Sequence, residues 1–144
     1  MSFSFRVAYK FPGLNEYTNM NRIHWTKGRE MKRAAEEAVM WAVKEARAHG
    51  RIRDVEPPYW ILFEWHEASH KRDPDNIASA KKYVLDAMQK AGVIRGDSQR
   101  YICGLHDVFV SDSMDGLIVT VYDQRAGTRV EREIMRVLTE ECDD

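Results

Sequence analysis

The first eleven residues alternate between large hydrophobic side chains and polar or small ones, and this pattern most constrains the fold. A period of two is typical of a β-strand with one buried face, and the Pro12-Gly13 pair then stops it. The sequence therefore predicts a first strand over residues 2–11. Its hydrophobic members are Phe3, Phe5, Val7, Tyr9 and Phe11.

After this strand, the spacing of hydrophobic residues switches between the helical and the strand period. Residues 14–26 show neither period and are rich in Asn, which predicts a loop. Thr26 is the predicted N-cap of the helix that follows, and Gly50 is its predicted C′ residue. The further predictions are a helix from Lys27 to Gly50, a strand from Tyr59 to Ala68, a helix from Ile77 to Ala91 ended by Gly92, strands from Tyr101 to Ser111 and from Leu117 to Tyr122, and a final helix beginning near Thr128.

This order of elements predicts an α+β (mixed α/β) fold, with a small single-layer sheet packed with two to three helices. The 144 residues suit one domain over residues 1–144, with 44% hydrophobic and 31% charged residues, as in soluble globular proteins. No apolar run approaches the ~20 residues that cross a bilayer, and no leader pattern precedes the first strand. We therefore expect a cytoplasmic protein without a membrane partner.

Cysteine usage and charge narrow the function classes. Cys103 and Cys142 stand alone, outside any C-x-x-C pair, and would stay reduced in the cytosol, which excludes zinc fingers, disulfide scaffolds and thiol oxidoreductases. The net charge of −1 conceals an asymmetry, because residues 1–53 carry +6 and residues 54–144 carry −7. Such an asymmetry indicates charged patches.

The residues that could carry chemistry are Asp73, Asp75, Lys82 and Asp97. Pro74 forces Asp73 into an extended conformation, so Asp75 or Asn76 is the predicted N-cap of the second helix. Two carboxylates this close can converge on one hard divalent cation such as Mg²⁺. Lys82 lies seven positions after Asp75, which returns it to within about 20° on a continuous helix, and Asp97 follows in a turn that can fold back over that face.

Each residue also has a purely structural interpretation. Asp73 or Asp75 could be only a helix cap, Lys82 could pair with Asp86 on the surface, and Asp97 could be only a turn former. His66, His70 and His106 are interpreted as surface residues of strands or loops rather than as metal ligands, and Glu64 could be a coincidental acidic residue on the sheet. The four tryptophans, Trp25, Trp41, Trp60 and Trp65, are assigned to the core. Only the combination of residues indicates a catalytic site.

Four consecutive stretches resemble one family. They are Lys71-Arg72-Asp73-Pro74-Asp75-Asn76-Ile77, Lys81-Lys82-Tyr83-Val84-Leu85-Asp86-Ala87-Met88, Lys90-Ala91-Gly92-Val93-Ile94 and Gly96-Asp97-Ser98-Gln99. With them, the segment from residue 71 to residue 99 resembles the RusA-type endodeoxyribonucleases, which are Holliday junction resolvases of lambdoid prophages and many bacteria. Pro12 to Arg22 is a weaker match, to a Pro- and Asn-rich segment of that family.

The resemblance implies a RusA-like fold and a Mg²⁺-dependent nuclease, with Mn²⁺ as a substitute and no organic cofactor. It places Asp73, Asp75 and Asp97 at the family's metal-binding aspartates and Lys82 at its essential lysine. Between Asn76 and Asp86 the helix is about three residues longer than in the family. A register counted from Asp75 would therefore place Ser79, instead of Lys82, at the position of the essential lysine. Lys81 points about 100° away from Lys82. The further implied partners are branched DNA (a four-way junction) and a second copy of the chain in a homodimer.

In such a nuclease, carboxylates hold one or two Mg²⁺ ions, a bound water becomes a better nucleophile, and cation and lysine neutralise the transition-state charge. The basic first half of the chain would then follow DNA phosphates. The residues predicted to do so are Arg22, Lys27, Arg29, Lys32, Arg33, Lys71 and Arg72. Two alternatives remain: a different Mg²⁺-dependent nuclease or nucleotide hydrolase, and a non-catalytic branched-DNA-binding protein with the same fold.

Overall fold

A computed structural model of the chain describes residues 1–141, so the prediction for Cys142 lies outside the described residues. The α+β class is confirmed. The elements are β1 (Ser2–Val7), α1 (Leu14–Ile23), α2 (Trp25–Ala48), β2 (Tyr59–Glu67), α3 (Pro74–Ala78), α4 (Lys81–Lys90), β3 (Ile102–Ser111), β4 (Gly116–Asp123) and α5 (Gln124–Glu141).

The strands form one four-stranded sheet in the order β1-β4-β2-β3. Strand β4 runs antiparallel to both β1 and β2, whereas β2 and β3 are parallel. Parallel neighbours need a crossover connection, and α3 and α4 provide it. The loop after β2 and the loop before β3 therefore lie at opposite ends of the strands.

The sheet has two chemically different faces. Alternate residues of β1, β2 and β4 pack with α2 and α4 in the main core, among them Phe5, Ile61, Phe63 and Val119. On the opposite face, Trp60 is buried outside this cluster. A Cβ added at Gly127 of α5 would lie 2.3 Å from the Trp60 side chain, so α5 packs against this second face through a glycine.

Three predicted boundaries differ from the structure for identifiable reasons. Strand β1 ends at Val7, because its partner β4 begins at Gly116 and offers no pairing to Tyr9 or Phe11. Helix α2 begins at Trp25 with His24 as N-cap, since the His24 ring accepts a hydrogen bond from the Thr26 amide. Helix α5 begins at Gln124, four residues before the predicted start, and the Asp123 carboxylate accepts the Ala126 amide at 2.8 Å.

The predicted helix Ile77–Ala91 is two helices, since residues 79 and 80 form a turn between α3 and α4. Ala80, Val84, Ala87 and Met88, which recur at helical spacing in this segment, are nevertheless all buried. The two predicted helix-ending glycines are also confirmed, because Gly50 and Gly92 have φ values of +67° and +73°. Only glycine adopts these values without cost.

The predicted loop at residues 14–26 is wrong, because this segment contains α1. The helix has no buried residue and no side-chain N-cap, so neither hydrophobic period nor capping could have indicated it. Tertiary contacts hold it instead: Tyr17 packs on Tyr83 of α4 with ring centroids 5.8 Å apart, and the Asn15 amide donates to the Asn76 side chain at 3.1 Å. With α1 and the divided crossover helix, the described chain has five helices instead of two or three.

Candidate functional site

Asp73 and Asp75 lie in the aspartate loop, residues 68–76, which follows the carboxyl end of β2 and includes the first turn of α3, where Asp75 lies. Asp73 has the extended backbone that Pro74 imposes, with φ −70° and ψ 147°, and is itself the N-cap residue of α3. The predicted cap at Asp75 or Asn76 is wrong, because Pro74 occupies the first helical position, which favours it. Both aspartates are exposed, and within residues 1–141 neither carboxylate takes part in an ion pair.

Arg72 holds one side of the aspartate loop. Its guanidinium donates to Glu67 at the end of β2 at 2.8 and 2.9 Å, to the Phe11 carbonyl at 3.0 Å and to Glu16 of α1 at 3.3 Å. Burial disfavours the charge on Arg72, but the hydrogen bond and the charge of Glu67 outweigh it and raise the pKa of the guanidinium. The predicted contact of Arg72 with DNA stays a prediction, and most of the guanidinium donors are used within the chain.

Asn76 holds the other side of the loop. Its side-chain oxygen accepts the Asn15 amide, and the side chain packs so closely on Gly13 that a Cβ there would lie 2.6 Å from it. In the Arg72-Asp73-Pro74-Asp75-Asn76 stretch, the first and last residues therefore bind α1, while the two aspartates between them face solvent. Sequence reasoning assigned chemistry to this motif and missed this supporting role.

A cleft of about 230 Å³ lies beside the aspartate loop, at the carboxyl ends of the parallel strands β2 and β3. Ligands bind preferentially outside the carboxyl ends of parallel strands in open α/β sheets. Half-exposed Phe109 forms part of one wall, and His70 and Pro74 form part of the other. Sequence reasoning did not select Phe109, because only the parallel register opposite Trp65 brings it here.

Asp97 lies at the other end of the sheet. The Tyr59 hydroxyl, at the start of β2, accepts a hydrogen bond from the Arg95 amide at 3.3 Å, and Ser98 accepts the Tyr101 amide at 2.9 Å. Between this turn and the aspartate loop lies the whole of β2, about 26 Å at ~3.3 Å per residue. The expectation that the turn folds back over Asp73 and Asp75 is wrong for a single chain, because the parallel β2–β3 crossover separates the two loops.

No group of three or more His, Cys, Asp or Glu side chains in residues 1–141 is arranged to hold a metal ion. Besides Asp73 and Asp75, two further carboxylates lie close together on the second face of the sheet, where His66 is 2.7 Å from Asp112 and 3.7 Å from Glu64. The hydrogen bond with His66 lowers the pKa of Asp112. His70 and His106 lie in the loop and on β3, as interpreted from the sequence.

Lys82 is exposed on α4 beside Asp86. Its ammonium is 3.9 Å from Asp86 of the same helix, and 76% of the side chain is exposed. The division between α3 and α4 interrupts the continuous helix on which the angular argument depended. Lys81 is the more enclosed of the two lysines: it bonds to Asp107 of β3 at 2.5 Å, and Asp107 also accepts the Trp65 indole N–H at 2.8 Å. The interpretation of Lys82 as a surface partner of Asp86 thus fits the geometry, and its catalytic role stays a prediction.

The remaining residues predicted to contact DNA lie on the surface. Arg22 lies in the last turn of α1, and Lys27, Arg29 and Arg33 are exposed on α2. Lys71, next to Arg72, is exposed in the aspartate loop, and Lys32 is partly neutralised, because it lies 3.8 Å from Glu36 and 3.9 Å from Asp86.

The assignment of all four tryptophans to the core is half wrong. Trp60 and Trp65 are buried, whereas Trp25 and Trp41 are 59% and 68% exposed on α2. The Arg29 guanidinium lies 5.2 Å from the centre of the Trp25 ring. An exposed aromatic ring with a cation over it is a surface suited to stacking with bases.

In comparisons with known proteins, no family model matches the sequence and no curated protein shows significant similarity. No helix of the described chain is both long and apolar enough to span a bilayer.

Proposed function

We propose that the protein is a Mg²⁺-dependent, structure-selective endodeoxyribonuclease that nicks four-way DNA junctions in recombination and repair, as a cytoplasmic homodimer. The observation that carries the proposal is the pair of exposed carboxylates, Asp73 and Asp75, in a loop that Arg72 and Asn76 hold. Arg72 and Pro74 of this loop line a cleft at the carboxyl ends of two parallel strands. The motif resemblance supports the same activity.

The donor set of the aspartate loop suits Mg²⁺. This ion keeps several waters and is commonly bound by one or two carboxylates together with substrate phosphates, so Asp73 and Asp75 are the two carboxylates that one aspartate loop can offer it. A bound Mg²⁺, or Mn²⁺ in its place, lowers the pKa of a water ligand and offsets negative charge on the phosphodiester. The loop contributes two oxygen ligands in a supported position, and exposed Lys71 beside it attracts the phosphate backbone.

The separation of Asp97 from the aspartate loop has a consequence for assembly. A site that contains Asp97 as well as Asp73 and Asp75, as the resemblance implies, requires Asp97 from the second chain of a homodimer. A dimer also suits a four-way junction, whose resolution requires two symmetric nicks, and closed two-fold symmetry supplies two equivalent sites.

Asp75→Asn tests the nuclease. We expect cleavage of a synthetic four-way junction to be abolished in Mg²⁺, because a metal ligand loses its charge, while junction binding is retained or improved. Folding should be unaffected, since the Asp75 side chain is exposed and caps no helix. Asp54→Asn, an exposed aspartate in the α2–β2 connection, is the matched control and should cleave normally. Cleavage by Asp75→Asn near the wild-type rate would remove Asp75 from the metal site.

One alternative, a non-catalytic branched-DNA-binding protein, predicts that the wild-type protein binds the junction and never cuts it with Mg²⁺ or Mn²⁺. The other, a different Mg²⁺-dependent nuclease, predicts equal cleavage of junction and linear duplex. The same assay with both substrates separates the three functions.

A further inference from the structure

A second charged surface lies far from the aspartate loop. It is an open groove of about 770 Å³ between the first half of α5 and the Pro57-Pro58 segment before β2. We call it the arginine groove. Its lining residues are Glu56, Pro57, Pro58, Asp123, Gln124, Arg125, Thr128, Arg129 and Arg132.

The three arginines share one side of α5. At 100° per residue, Arg125, Arg129 and Arg132 fall within a sector of about 60°, roughly opposite Gly127. Gly127 is pressed against Trp60, so the rotation of the helix about its axis is fixed and the arginines are directed away from the sheet. All three are exposed, and none forms an ion pair with another residue in the described range 1–141.

The acidic groups of the groove are already paired. Asp123 lies 2.6 Å from the amino group of Met1 and accepts the Ala126 amide at 2.8 Å, and these two hydrogen bonds lower its pKa. Glu56 lies 3.4 Å from Arg95. Of the acidic residues of α5 outside the groove, Glu133 pairs with Arg136, and Glu131 lies 3.4 Å from His106. The three arginines therefore give the groove a net positive charge inside the acidic half of the chain.

We propose that the arginine groove binds a nucleic-acid phosphate backbone. The helical rise from Arg125 to Arg132 is about 10.5 Å. One strand of duplex DNA carries a phosphate about every 3.4 Å of axis, so the row spans roughly three phosphate steps. Thr128 and Gln124 add neutral donors of the kind that commonly contact phosphates.

The shape of the groove favours nucleic acid over an anionic membrane. Its only apolar lining residues are the two prolines, and it presents no exposed aromatic side chain that could enter a bilayer. α5 also packs on the sheet face opposite α4, and the groove adjoins the end of β2 remote from the aspartate loop. The inference rests on the proposed function to this extent: the groove would hold an arm of the junction other than the arm being cut.

The test is the salt dependence of binding to a fluorescent four-way junction, measured by anisotropy without divalent cation, so that no cleavage occurs. In a variant with Arg125→Gln, Arg129→Gln and Arg132→Gln, the slope of log affinity against log salt should fall by roughly 0.9 for each lost phosphate contact, or about 2.7 for three. Circular dichroism should show an unchanged fold, because the three side chains are exposed.

Arg136→Gln is the matched control on the same helix. Its guanidinium pairs with Glu133 at 2.6 Å and with Glu140 at 3.0 Å, outside the groove, so its slope should equal that of the wild type. An unchanged slope in the triple variant overturns the inference. The inference is also overturned if the triple variant loses binding to phosphatidylserine vesicles while its junction slope is unchanged.

Cleavage assays separate this inference from the nuclease proposal. If the triple variant shows a reduced slope but the wild-type protein never cuts DNA, the binding role of the arginine groove is supported and the nuclease proposal is rejected. If the wild-type protein cuts normally but the slope of the triple variant is unchanged, the nuclease proposal is supported and the binding role of the groove is rejected.

Discussion

At the scale of single residues, Arg72 shows how a candidate functional residue can be a structural one. It lies next to Asp73 and is basic, which suggests a phosphate contact, yet its side chain joins β2, α1 and the segment after β1. Glu67, its main partner, is 6% exposed. A buried carboxylate needs its partner, because an uncompensated charge in the interior is costly.

Replacing Arg72 should therefore destabilise the fold. Arg72→Met keeps an apolar stem and leaves the Glu67 carboxylate unpaired, so we expect a loss of about 3 kcal/mol in the free energy of unfolding, measured with urea. Lys71→Met, at the exposed neighbouring position, should change it by less than about 0.5 kcal/mol. Equal small effects of both changes would show that the Arg72–Glu67 pair does not support the loop.

At the scale of elements, the turn between α3 and α4 decides which lysine faces the protein. Lys81 bonds to Asp107 on β3, and Lys82 extends into solvent near Asp86. Ser79 and Ala80 retain helical backbone angles, but the Ala80 amide bonds to Ile77 three residues back, so the helix is wound more tightly there. This local change shifts every side chain of α4 relative to Asp75.

The two lysines should separate stability from chemistry. Lys81→Met removes a partly buried ion pair and should lower the free energy of unfolding by about 1 kcal/mol. Lys82→Met should leave stability unchanged, and if Lys82 acts on the transition state, it should slow single-turnover cleavage of a pre-bound junction by about 10² to 10³-fold. A slower single turnover in Lys81→Met than in Lys82→Met would assign the essential lysine to position 81.

The contact between α5 and the sheet depends on the absence of a side chain at Gly127. An alanine there would place its Cβ 2.3 Å from the Trp60 side chain, and a Cβ at Gly104 of β3 would lie 2.7 Å from the same side chain. Gly127→Ala should cost about 1 to 3 kcal/mol by overpacking, although alanine favours helix. Thermal unfolding measures this, with Thr128→Ala as the control that should cost little; a stabilised Gly127→Ala would contradict the packing of α5.

At the scale of the whole molecule, the crossover places Asp97 at one end of β2 and the aspartate loop at the other. Mixing two inactive variants tests whether a second chain supplies Asp97. Asp73→Asn and Asp97→Asn should each fail to cut alone, whereas a mixed dimer contains one intact site and should nick one strand of the junction. The control mixture, Asp73→Asn with Asp75→Asn, should stay inactive, because both changes affect the same loop.

Two other results of this mixing experiment would contradict a shared site. Full activity of Asp97→Asn alone would show that Asp97 is not a ligand and that Asp73 and Asp75 suffice. Inactive single variants that do not complement each other would show that Asp97 acts within its own chain, which would require a rearrangement of the crossover.

The sequence by itself determined those parts of the fold that depend on local pattern. Alternation identified β1, β2, β3 and β4, helical spacing identified α2 and the buried face of α4, and Gly50 and Gly92 marked two helix ends, because periodicity and positive φ are properties of short segments. It also identified Asp73 as an extended residue before Pro74, since the proline ring restricts the residue before it.

Only the tertiary structure decided which of these segments meet. Helix α1 exists through contacts with α2, Tyr83 and Asn76, and such contacts leave no periodic pattern in the sequence. The parallel pairing of β2 with β3 separates Asp97 from Asp73 and brings Phe109 to the cleft. The close packing of Gly127 on Trp60 fixes the rotation of α5, so that three of its arginines line one groove. These arrangements depend on strand order and on contacts between residues far apart in the sequence. Because such contacts involve the whole chain, no short segment of the sequence determines them.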